Sequence, residues 1–311
     1  MMWSAFCASG QLQVFPSTSR ALGPAKKLGT SSSCAEASRS RRKPCGLSCT
    51  LLAGSVVGLH RLRRCLQSNQ SRSTSTMSTP PLHCEALLFD IDGTLADTDP
   101  VHFQTFVDVL KEEGFNSGVP IDEDFFKQRI AGRQNRQICA DLFPEWSVER
   151  ADAFSNHKEA TFRARAAEQL QPMTGLDLVR DWCDERALRK IAVTNAPRLN
   201  AEFILDCIGY QSWFPDLVIG DECERGKPDP CPYLTGMQRL GVRPERCIAF
   251  EDSPSGAASS VAAGVFTVGI LTSQAPEKLQ AAGCALLVSS FKDERLWKLL
   301  SQISTEEQGK T

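Results

Sequence analysis

No CxxC pair and no cysteine–histidine grouping at zinc-ligand spacing occurs among the thirteen cysteines of this 311-residue chain. A finger-type zinc site is therefore not expected. The eight cysteines beyond residue 80 (Cys84, Cys139, Cys183, Cys207, Cys223, Cys231, Cys247 and Cys284) are scattered, several within apolar stretches. That placement predicts buried free thiols in a reducing compartment. A comfortable membrane span needs about 20 apolar residues, and the uncharged run 44–59, centred on Leu51, Leu52, Val56 and Val57, falls short of it. A signal-like segment or short anchor is the alternative reading of that run, and the catalytic body itself offers no stable membrane span. No internal repeat is present. Acid is nearly absent from residues 1–80, which carry one glutamate, Glu36, against eleven Lys/Arg, with sixteen serines. This is the composition of an organelle transit peptide or a disordered tail. Initiation at Met77 would instead leave a cytoplasmic form. Basic residues are in deficit over the remainder, 24 against 36 acidic, a net charge of about −12. A body that acidic lacks the positive surface that nucleic-acid binding requires, but it suits a hard metal ion.

Short apolar runs begin at residue 86 and alternate with amphipathic stretches. The runs are Ala86–Phe89, Ile191–Val193, Leu217–Ile219, Cys247–Phe250, Phe266–Ile270 and Leu286–Val288. Their length and the helix-sized segments between them predict buried parallel strands in an α/β, doubly wound sheet. One interval breaks the rhythm. Between the first two runs, residues 101–113, 122–129, 135–142 and 148–170 all have helical apolar spacing, with no strand among them. The expected organisation is an N-terminal extension over 1–80, a catalytic core over 85–100 and 171–303, and an inserted helical cap over 101–170.

Four polar groups stand at the ends of predicted strands or in the loops beyond them, where open α/β sheets bind ligands. Phe89-Asp90-Ile91-Asp92-Gly93-Thr94-Leu95 supplies two carboxylates on a tight turn. Asp90 is suited to act as nucleophile and metal ligand, and Asp92 as general acid and base. Val193-Thr194-Asn195-Ala196 offers a hydroxyl and an amide to phosphoryl oxygens. Gly226-Lys227-Pro228-Asp229-Pro230 holds a lysine on a stiff backbone, where it can neutralise phosphate charge. Phe250-Glu251-Asp252-Ser253 adds adjacent carboxylates of the kind Mg²⁺ accepts. Taken singly, each group reads as a turn, an exposed lysine or a helix cap. Together they supply a nucleophile, phosphate donors, a cation and a metal site, the parts phosphoryl transfer requires.

With these groups in this order the sequence resembles the haloacid dehalogenase-like hydrolase superfamily over residues 85–300. The stretches 114–122 and 193–197, with the ending around Leu296-Trp297, are most similar to a plant branch of Sgpp-type sugar phosphatases. The resemblance implies a Rossmann-like core with an inserted cap and a Mg²⁺-dependent phosphatase acting through an aspartyl-phosphate on Asp90. It implies that Asp92 is the acid/base, that Thr194 and Asn195 hold the phosphoryl group, and that Lys227 stabilises charge. It further implies that Asp90, Asp92 (through its carbonyl) and Asp252 hold the metal, with Glu251 assisting. Arg133, Asn135, Lys158 and His102 of the cap are expected to contact a small phosphorylated metabolite, a sugar or polyol phosphate. A β-phosphoglucomutase-type activity is the rival, although Asn135 stands where those mutases place an arginine. Asp92 argues against dehalogenation, because true dehalogenases lack the second aspartate. A monomer is expected, delivered to a chloroplast, with the mitochondrion as the second destination.

Overall fold

The structure, a computed structural model, describes residues 79–303. All but the last two residues of the targeting segment expected over 1–80, including the run 44–59 and Met77, lie outside the described residues.

Six parallel strands form one sheet: β1 (Ala86–Phe89), β2 (Arg189–Thr194), β3 (Leu217–Ile219), β4 (Cys247–Glu251), β5 (Phe266–Ile270) and β6 (Leu286–Val288). Their order is β3-β2-β1-β4-β5-β6. All six predicted strands are present, because strands covered on both faces must be apolar on both. Along β1 the pleat sends Leu87 and Phe89 to one face and Ala86 and Leu88 to the other, each into its own apolar cluster. Phe89 stacks on Phe250 of the neighbouring strand with ring centroids 5.0 Å apart. Burying such a ring contributes about 1.5–3 kcal/mol. The chain winds outward from β1 to β3, then crosses back to β4 and continues the other way. The switch point therefore falls between β1 and β4, and a crevice opens beyond their carboxyl ends.

Five α-helices lie between β1 and β2, and the first four form the insertion: α1 (Asp99–Glu112), α2 (Glu123–Arg129), α3 (Asn135–Leu142) and α4 (Val148–Ala166). They share an aromatic-rich core of their own that includes Phe106, Phe126, Phe143 and Phe154. Asp122 and Ser147 cap α2 and α4 by accepting from the amides of Phe125 and Arg150. Two boundaries of these four helices differ by more than one residue from the sequence pattern. α1 begins at Asp99 instead of Val101, because Pro100 fits the first turn, where its missing N–H costs nothing. α4 ends at Ala166 instead of Leu170, since a turn there lets Leu170 reach the main core. The later helices are α5 (Leu176–Glu185), α6 (Arg198–Cys207), α7 (Cys231–Leu240), α8 (Pro254–Ala262), α9 (Pro276–Ala281) and α10 (Glu294–Gln302). The eight described cysteines are free, five buried and three partly so. No described helix is long and apolar enough to cross a membrane.

Candidate active site

The amide of Asp90 donates to the carbonyl of Phe250 at 3.0 Å, which sets Asp90 beside the end of β4. β4 runs one residue beyond its apolar run, so Glu251 is a fully buried strand residue. Carboxylate oxygens of Asp90, Glu251 and Asp252 all lie within 4.8 Å of one another. Lys227 enters from the loop after β3, and its Nζ donates to Asp90 Oδ1 and Glu251 Oε1, each at 2.6 Å. Tyr233, one turn into α7, donates its hydroxyl to the same Glu251 oxygen at 2.5 Å. Thr94 and Ser273 donate to the two oxygens of Asp252 at 3.1 and 2.6 Å.

Two glycines let main chain press against these acids. Gly93 has a φ of 76°, and a Cβ there would lie 2.1 Å from Asp252 Oδ2. At Gly256, in the first turn of α8, a Cβ would lie 1.9 Å from Glu251 Oε2.

Electrostatics follow from the imbalance of three buried carboxylates against one lysine. Burial pushes the Asp90 carboxyl up to about 8, against the pull of Lys227 and with the repulsion of Glu251 and Asp92 behind it. Burial, with the charges of Asp90, Asp99 and Glu251, raises Asp252 well above the ordinary carboxylate range. Lys227 is raised as well, since Asp90 and Glu251 outweigh the burial that opposes its charge. A divalent cation is what the excess of two negative charges lacks, so the residues fit a hard metal ion. Asp90 and Asp252 are the better placed ligands, because Lys227 and Tyr233 already occupy Glu251 Oε1.

Asp92 faces a different environment. Its Oδ1 accepts from Thr98 at 2.9 Å and pairs with His102 Nε2 at 3.1 Å. Burial alone would raise its pKa, but His102, Thr98 and Lys158 outweigh it and hold the carboxyl below its ordinary value. The imidazole of His102 stacks on Phe162 of α4, with ring centroids 3.9 Å apart.

The sheet edge and the inserted helices enclose a cavity of about 90 Å³ onto which Asp90, Asp92, Thr194, Lys227 and Asp252 all open. One water needs about 10–15 Å³, so a phosphoryl group and a few waters fit. The remaining expected residues reach the cavity in different ways. Thr194 is buried, and its Oγ1 accepts from the amide of Ala196 at 2.9 Å, leaving the hydroxyl proton free to donate. Asn195 brackets the Lys227 main chain, accepting from its amide at 3.0 Å and donating to its carbonyl at 3.1 Å. Lys158 and Asn135 both donate to Glu159 Oε1, at 2.9 and 2.6 Å. Arg133 lines the rim, but its guanidinium is spent on Asp141 and the carbonyls of Arg129 and Gln137.

The residues that sequence reasoning missed are Tyr233, Ser273, Asp99, Glu159 and Asn200. Ser273 stands just past β5, so the same strand-end rule would have found it. Asp99 opens on the cavity with a buried Oδ2 that has no hydrogen-bond partner among the described residues.

A profile for haloacid dehalogenase-like hydrolases matches residues 87–270, which span the strands and loops that carry these groups. The chain belongs to the haloacid dehalogenase-like hydrolase family. Among relatives in that family, a phosphorylated carbohydrates phosphatase of Thermotoga maritima is 30% identical over 224 residues, covering 70% of this chain and 99% of the relative. A fructose-1-phosphate phosphatase of Escherichia coli is 27% identical over 196 residues, covering 59% and 95%. A solved HAD hydrolase (family IA, variant 3) of Entamoeba histolytica superposes with a TM-score of 0.61 at 28% identity, covering 70% and 99%. The expected superfamily and its α/β fold are thus both present, and the two named relatives are phosphatases, as the expected enzyme class requires.

Proposed function

We propose that this protein is a Mg²⁺-dependent phosphatase of small sugar or polyol phosphates that works through an aspartyl-phosphate on Asp90. One observation carries the reading: Lys227 bridges Asp90 and Glu251 at 2.6 Å beside Asp252, at the switch point of the sheet. The names of the Thermotoga maritima and Escherichia coli relatives support the substrate class.

Lys227 holds Asp90 oriented through Oδ1, leaving Oδ2 to attack phosphorus. The bond from phosphorus to the ester oxygen breaks as the new bond to Asp90 forms. The leaving oxygen takes its proton from the Asp92–His102 pair, which shares a hydrogen bond at the cavity wall. His102, Thr98 and Lys158 favour the ionised form of Asp92, the form that next removes a proton from water. That water attacks the aspartyl-phosphate, releasing phosphate and restoring Asp90. Thr194 donates to the phosphoryl oxygens, and Asn195 acts by fixing the Lys227 loop. Asp90, Asp252 and the Asp92 carbonyl are the residues that would hold Mg²⁺, with Glu251 assisting. Bound there, Mg²⁺ supplies positive charge that offsets the phosphoryl oxygens and the carboxylates around them.

Phosphate release by the full-length protein across a panel of sugar phosphates, with EDTA and Asp90→Asn as blanks, tests the reading. Release that depends on Mg²⁺ and vanishes in Asp90→Asn supports it. Interconversion of glucose 1-phosphate and glucose 6-phosphate stimulated by the bisphosphate, without net release, would replace it with a mutase. Delivery to a plastid is proposed on the transit-like composition of residues 1–80 together with the resemblance to the plant branch. A fluorescent protein carrying that segment should enter plastids, whereas mitochondrial or cytoplasmic fluorescence would select one of the alternatives.

A further inference from the structure

The wall of the cavity facing β1 carries a buried carboxylate that hydrolysis does not use. Glu159 of α4 is 6% exposed and takes hydrogen bonds on both oxygens. Oε1 accepts from Asn135 and Lys158, and Oε2 accepts from Asn200 of α6 at 2.5 Å. Arg163 holds Asn200 in turn, donating to its Oδ1 at 2.5 Å. Glu159 therefore has a fixed position and one of its four lone-pair sites unused.

The basic side chains of this cavity are each already committed. Lys227 is shared by Asp90 and Glu251, and His102 is paired with Asp92. Lys158 is neutralised by Glu159, and Arg133 is bonded to Asp141. Among the described residues, no other lysine, arginine or histidine lines the cavity. A substrate whose phosphoryl end meets Lys227 and the metal ligands turns its other end toward the Lys158–Glu159 pair, where Lys158 Nζ lies over the rings of Phe106 and Phe162. A second phosphate or a carboxylate there would be desolvated against a fixed negative charge with no spare cation, a costly arrangement. A hydroxyl instead finds a carboxylate acceptor and the amide of Asn135.

We propose that Glu159 is a specificity-determining residue that restricts the enzyme to phosphate esters with a neutral, hydroxylated distal end and excludes those bearing a second anion. This inference rests on the phosphatase reading of the same site.

Its test measures kcat/KM of the full-length enzyme for neutral-ended esters (sorbitol 6-phosphate, glycerol 3-phosphate) and anionic-ended ones (2-phosphoglycolate, 6-phosphogluconate, fructose 1,6-bisphosphate). The wild type should favour the neutral set by at least about tenfold. Glu159→Gln frees Lys158 and should cut that ratio about tenfold or more. Lys158→Gln leaves Glu159 without its lysine and should move the ratio in the opposite direction. Equal use of both sets by the wild type, or a ratio unmoved in both variants, overturns the proposal. If Glu159→Gln fails to fold, the wild-type ratio and Lys158→Gln still decide. Release from none of these esters, with wild type and Asp90→Asn alike, overturns the phosphatase reading itself, which is a different outcome from release without discrimination.

Discussion

The two walls of the cavity hold similar numbers of charged side chains and use them differently. On the sheet side Asp90, Glu251 and Asp252 share one lysine, and burial forces the cost of that imbalance onto Asp90 and Asp252. On the helical side the pairing is more nearly complete, Lys158 with Glu159 and His102 with Asp92; Asp99 is left over, and the rings of Phe106 and Phe162 lie against Lys158 and His102. An unbalanced wall stores a demand for a cation and for phosphoryl chemistry. A balanced wall makes no such demand and is left to choose among substrates. Neutralising a charge on the sheet side should therefore abolish turnover, whereas on the helical side it should alter preference or stability.

The largest effect belongs to Asp90→Asn, which should lower phosphate release at least about a thousandfold. In the absence of metal the same variant should melt no lower than wild type, because a repelled buried charge is gone; a clear loss of Tm would break the claim that this wall is unbalanced. Lys227→Met removes the only cation of the trio and should cost about 3–5 kcal/mol in denaturant unfolding along with most activity.

A third expectation concerns pH. The Asp90 carboxyl is raised from its ordinary 3.8 to about 8, so the native state binds its proton more tightly than the unfolded chain does. The metal-free protein should lose stability as pH rises from about 4 through about 8. The gain in Tm from added Mg²⁺ should accordingly be larger at pH 8 than at pH 6, and scanning calorimetry at the two pH values reads the difference. A gain that shrinks with rising pH contradicts the assignment of Asp90 as a ligand. The smallest effect is expected from Asn200→Ala, which strips one partner from buried Glu159 Oε2 and should cost about 1–3 kcal/mol. That loss should leave the Mg²⁺-dependent rise in Tm as it was.

The same contrast explains what could be read from the chain. All six strands were legible because buried parallel strands must be apolar, and Asp90, Thr194, Lys227 and Asp252 were legible because chemistry gathers where such strands end. Glu251 was legible as an acid but not as part of the strand, since a charged residue closes an apolar run by any sequence criterion. The helical wall carried no comparable signal. Lys158 was expected at the substrate through the family resemblance, whereas Glu159 looks like a solvent-facing residue of a polar helix, and its partners Asn135 and Asn200 lie 24 and 41 positions away. Arg133 was expected at the substrate through the family resemblance, and Asp141, near the end of α3, claims its charge. Asn195 was expected at the phosphate, and its hydrogen bonds to the Lys227 main chain are long-range contacts that spacing cannot reveal.

Gly93 and Gly256 bear on how such an enzyme diversifies. At both positions an added Cβ would fall within about two ångströms of a buried carboxylate oxygen. Replacement at either glycine pushes directly on Asp252 or Glu251, so the immediate surroundings of the acids offer lineages almost no viable steps. The helical wall has no such constraint, and a single exchange at Glu159 resets its charge. Drift in substrate range across descendants of this chain should therefore accumulate on the inserted helices, while the sheet edge stays nearly frozen.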